Sequence, residues 1–167
     1  MALNPVTLKN ELLARVLATP PATSQGCAQG WADAYRIYAG AAQSCGVPGI
    51  PLGAALDAAR DLLEASLVPI FTGGTDPAST ASGLAVAFQA FWLAPPIPFA
   101  GVTPGVVTAV AGTAALQAGL LASWVPSPDP WPTAGQAATT IATLLNTFTH
   151  TVVVTHAPPS ACALPLL

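Results

Sequence analysis

Apolar residues recur every three or four positions along most of the chain, the spacing that lines one face of an α-helix. Leu8, Leu12 and Val16 form the first such stripe, which ends before Pro20-Pro21. A second stripe, over about 29–44, aligns Trp31, Tyr35, Tyr38 and Ala42. The third is the most regular: Leu52, Leu56, Ala59, Leu63, Leu67 and Ile70 share one side, and Asp57, Arg60, Asp61 and Glu64 share the other. That segment alone shows an ordinary solvated face, with Arg60 and Glu64 at pairing distance along the helix. The fourth segment, 77–93, groups Leu84, Phe88, Phe91 and Trp92 among Ala, Ser, Thr and Gly, and reads as buried nearly all round.

Helix-start signals support these spans. Asn4-Pro5, Asp76-Pro77 and Thr103-Pro104 each place a side-chain acceptor before a proline. The acceptor satisfies a free N–H group, and proline tolerates the first helical position. The spacing therefore predicts a fifth helix over 104–124 and a sixth carrying Ile141, Leu144, Leu145 and Phe148. Proline-rich stretches at 94–101 and 125–132 interrupt the pattern, because proline removes a donor and restricts its predecessor.

The period changes near the C-terminus. Residues 149–156 are β-branched and alternate, with Thr149, Thr151, Val153 and Thr155 on one face. A single strand is not stable alone, so this one needs a partner, and addition to a neighbouring subunit is one way to find it. The expected architecture is mainly α: five to six helices in a compact bundle with a Pro-rich linker and a C-terminal strand and extended tail. Residues 1–148 form the helical domain and 149–167 an interaction arm. On that reading, deleting 149–167 abolishes assembly and leaves most of the helical signal.

Charge changes the picture. The 167 residues include four Lys+Arg and seven Asp+Glu, a charged fraction of 7%, against about 25% in an ordinary soluble domain. Nine of these eleven charges lie between Lys9 and Glu64, and only Asp76 and Asp129 follow. So few basic residues exclude a phosphate-tracking nucleic-acid binder, and the 53% apolar content excludes a disordered chain. A C-terminal half without basic residues must be covered, by protein or by lipid. The uncharged window 102–125 is long enough to span a bilayer, but its glycines, Pro104 and Gln117 work against insertion, and no basic residue orients it. Packing against other protein subunits is the preferred cover, since Ala, Ser and Thr can be buried without desolvating charge.

Candidate chemistry is sparse. The Asp57, Asp61 and Glu64 carboxylates read as a solvated stripe, and Asp76 as a helix cap. His150 and His156 would lie about 20 Å apart along a strand, too far to share an ion, so no metal or cofactor is expected. Cys27, Cys45 and Cys162 read as small buried hydrophobes, although Cys27 and Cys45 could pair under oxidising conditions. Charges scattered through the first 15 residues do not form a signal peptide, which points to synthesis in the cytoplasm. The Trp31, Tyr35 and Tyr38 stripe is a core signature first and a ligand-binding face second.

An uncharged Ala/Thr/Pro-rich chain with the aromatic helix Phe88-Gln-Ala-Phe-Trp92 and a Val-rich terminal strand resembles, in style, minor structural proteins of tailed bacteriophages or phage-tail-like particles. The resemblance implies a non-enzymatic virion subunit in a bacterial host that binds copies of itself and other particle proteins. It carries over no functional residues. The candidate interface is then the large apolar set Phe88, Phe91, Trp92, Trp124, Trp131, Val152, Val153 and Val154. The alternatives are a small integral membrane protein and a small helical ligand-binding domain or enzyme.

Overall fold

A computed structural model of the chain describes residues 3–44, 49–73, 76–101, 104–124, 133–156 and 163–166. Side-chain caps open four of its helices. Asn4 accepts from the Val6 N–H (2.9 Å) to start α1, Pro5–Leu12, which runs on into a π-helical turn, Leu13–Leu17. Thr23 accepts from Gly26 (3.0 Å) to start α2, Ser24–Ala39, five residues earlier than the aromatic stripe predicts. The preceding turn carries no apolar periodicity, so only the cap marks it. Next come the short strand β1, Ile50–Pro51, and α3, Gly53–Thr72.

Asp76 accepts from Ala78 and Ser79 at 3.0 and 3.1 Å and opens α4, Pro77–Leu93. The Ser79 hydroxyl, together with the backbone donors, holds this carboxyl below its ordinary range. The expectation of burial nearly all round holds from Thr80 to Leu93, where only Val86 is exposed, but not in the first turn, where Pro77, Ala78 and Ser79 are exposed. The sixth helix, α6, Ala134–Thr149, opens on a reciprocal capping box between Thr133 and Gln136. Replacing Thr133 with Ala is expected to cost about 1 kcal/mol, read as a lower urea midpoint with an unchanged slope.

The chain is mainly helical, as the periodicity predicts, with six α-helices among the described residues. The fifth differs. In place of one helix over 104–124 the chain forms a strand, β3, Gly105–Val110, and then a shorter helix, α5, Thr113–Trp124. The physical reason is tertiary. Val106, Val107 and Val110 are β-branched, and two neighbours offer backbone partners: β2, Pro98–Ala100, from the proline-rich break, and β4, Val152–His156. The Thr103-Pro104 signal, whose Thr103 lies outside the described residues, therefore opens no helix.

The sheet is a five-stranded antiparallel meander in sequence order, closed by β5, Ala163–Pro165. The terminal strand thus finds its partners within the chain: β4 pairs with β3 on one side and β5 on the other. A bulge at Thr108 shifts the register between Val107 and Ala109. Val107, Val152 and Val154 point inward, and Val106, Thr108 and Thr155 face outward. Of the four residues expected on one face of the strand, Val153 and Thr155 share its outer face, while Thr149 belongs to the end of α6 and Thr151 to the turn that follows.

Tyr35 sits at the centre of the core. Its ring meets Phe88 and Phe91 edge-on at centroid distances of 4.7 and 4.9 Å. Its hydroxyl accepts from Trp92 Nε1 (2.9 Å) and shares a 2.8 Å hydrogen bond with Thr149 Oγ1, which donates to the Leu145 carbonyl (2.7 Å). Since Thr149 donates elsewhere, Tyr35 is the donor in their pair, and every polar hydrogen in this buried Trp92–Tyr35–Thr149 relay is used. Burial pushes the Tyr35 phenol far above its usual range, outweighing the pull of Thr149 and Trp92, so it keeps its proton. Tyr38 donates to Asn146 Oδ1 (2.7 Å) and adds a second tie between α2 and α6.

Candidate functional site

Most of the predicted interface residues lie inside the molecule. Phe88, Phe91, Trp92, Val152 and Val154 are fully buried within the chain, while Val153 and Trp124 are half-buried. Trp131 lies outside the described residues. Trp31, Tyr35 and Tyr38 are likewise buried, so the aromatic stripe lines the core and offers no binding face.

The described charges lie on α1 and its π-helical turn, on α2 and α3, and at the Asp76 cap of α4. Arg60 on α3 bonds Asp33 on α2 (2.7 Å), Asp61 (2.8 Å) and Glu64 (2.5 Å). Burial works against its charge, but the hydrogen bonds to Asp61 and Asp33 prevail and hold the guanidinium more firmly protonated than usual. Arg36 pairs with Asp57 (2.8 Å), and Arg15 with Glu11 (2.8 Å) and Asp33 (3.6 Å). The stripe read as solvated is therefore also the seam between α2 and α3. Beside it an open groove of about 320 Å³ runs past Arg60, Asp61, Glu64 and Gln25, the last of which donates to Glu64.

Helices α5 and α6 and the outer face of β3 and β4 have a different chemistry. Between Pro77 and His156 the only Lys, Arg, Asp or Glu is Asp129, which lies outside the described residues. Helix α5 exposes Ala114, Ala115, Ala118 and Ala122, and α6 exposes Thr139, Thr140, Thr143 and Thr147. Thr139 and Thr143 donate back to the carbonyls of Gly135 (2.8 Å) and Thr139 (2.9 Å). Across the sheet the Thr155 hydroxyl donates to Thr108 Oγ1 (2.9 Å), which donates in turn to the Val153 carbonyl (3.5 Å). These hydroxyls are satisfied inside the chain, so covering them strands no donor, a saving of about 1–3 kcal/mol for each group. A hollow of about 90 Å³, the scale of one aliphatic side chain, opens between Ala115 and Leu116 on α5 and Leu144 and Phe148 on α6. Gly119 leaves room for the end of the Leu144 side chain, which a Cβ there would meet.

The sequence reading did not single out this surface, since it sought an interface among large apolar residues. The available signal was the four-residue recurrence of Thr139, Thr143 and Thr147 beside the Ala repeat of 114, 118 and 122. The sheet edges are less suited to a partner. Strands β1 and β5 are two and three residues long, and each ends in a proline that has no N–H to donate.

The two histidines make separate contacts. His150 closes α6, its Nδ1 within 2.7 Å of the Asn146 carbonyl. His156, read as a polar strand end, is buried, with Nε2 2.9 Å from Ser44 Oγ. Gly105 makes room for this ring: a Cβ there would lie 2.6 Å from it. Among the described residues no group of three or more His, Cys, Asp or Glu is placed to hold a metal ion. Cys27 is free and half-buried, and burial raises its thiol pKa. Cys45 and Cys162 lie outside the described residues.

Within the window weighed as a membrane span, 102–125, the described residues 104–124 form β3 and then α5. Among the described residues no helix is long and apolar enough to cross a membrane. No protein-family model matches the chain, and neither a curated protein nor a solved structure matches it.

Proposed function

We propose that the chain is a non-enzymatic structural subunit of a large multi-subunit particle, of the bacteriophage-virion or phage-tail kind. It packs against copies of itself or neighbouring particle proteins. The observation that carries this reading is the uncharged surface of α5, α6 and the outer sheet, whose Thr139, Thr143, Thr108 and Thr155 hydroxyls are already bonded within the chain. A free monomer depends on surface charge to stay apart from its copies, and this side has none among the described residues. Burying it desolvates no ion and orphans no hydroxyl in those bonds. The phage-particle setting rests on the resemblance of the sequence in style.

The test places charge on the exposed face without touching the core. The double substitution Ala118→Glu with Thr143→Glu alters two exposed helix positions. It is expected to change stability by about 0.5 kcal/mol or less, as surface substitutions do, and to abolish assembly. Retention of the assembled state by a folded double variant would overturn the assignment of this face.

A further inference from the structure

We draw no further inference here: the strongest candidate, the hollow of about 90 Å³ between α5 and α6 beside their exposed Ala and Thr residues, belongs to the surface already proposed for assembly, and nothing in the structure shows what covers it.

Discussion

Deleting residues 149–167 is expected to leave a chain that no longer folds cooperatively, rather than a helical domain that has merely lost an arm. The deletion removes β4 from between β3 and β5 and with it the buried side chains of Val152, Val154 and Leu166. At about 1.5–3 kcal/mol for each fully buried aliphatic side chain, the loss is roughly 4–9 kcal/mol. That is comparable to the whole stability of a typical domain, about 5–15 kcal/mol. Removing Thr149 also takes from Tyr35 its hydrogen-bond acceptor. The urea transition of the truncated chain is expected to be broad and without a native baseline. A sigmoidal transition with the full-length midpoint would show that the C-terminal strand is dispensable to the fold. This outcome reverses the expectation from sequence, where the strand had no visible partner within the chain.

The second large effect lies at Trp92. Replacing it with Ala is expected to cost about 3–5 kcal/mol, the range for an aromatic residue lost from a closed core. Tyr35→Phe isolates the polar part of that cost. It leaves the fully buried Trp92 Nε1–H without its acceptor, which costs about 1–3 kcal/mol. Thr149 is affected less, because it still donates to Leu145. In a double-mutant cycle, Tyr35→Phe and Trp92→Phe together are expected to cost less than the sum of the two single changes, since the second removes the donor that the first strands. Strict additivity in the cycle, measured by urea denaturation, would mean that the two side chains do not share this bond. A ligand-binding use of the same stripe predicts the reverse pattern, with function lost and stability kept. Burial of Tyr35 and Tyr38 argues against that pattern.

How much was legible beforehand follows from the range of each interaction. The stripes of Leu8, Leu12 and Val16, and of Leu56, Ala59, Leu63 and Leu67, are local, and these seven residues are buried as their spacing predicts, whereas Leu52 at the head of the third stripe is exposed and Ile70 at its end is half-buried. Asn4 and Asp76 cap helices as read, because a cap needs only the next three residues. Strand β3 was hidden because an apolar Val-rich run with small residues fits either period. Its state was decided by β4, whose Thr155 pairs with Val106 across almost fifty positions of sequence. The bonds of Tyr35 to Thr149 and of Ser44 to His156 span more than a hundred positions each and leave no trace in local spacing. The candidate interface failed to separate inside from outside for a related reason. Large apolar side chains such as Phe88 and Trp92 serve a core and an interface equally well, and here the core takes them. A surface of Ala and back-bonded Thr is quieter in sequence because it is defined by what it lacks.

The most direct test of the assembly reading is the mass of the native species, measured by size-exclusion chromatography with light scattering, first without detergent and then with it. The account predicts a species many times the 16.6 kDa of one chain, soluble without detergent and unchanged when detergent is added. A clean monomer of 16.6 kDa at high concentration, or a protein recovered only in detergent, would contradict it.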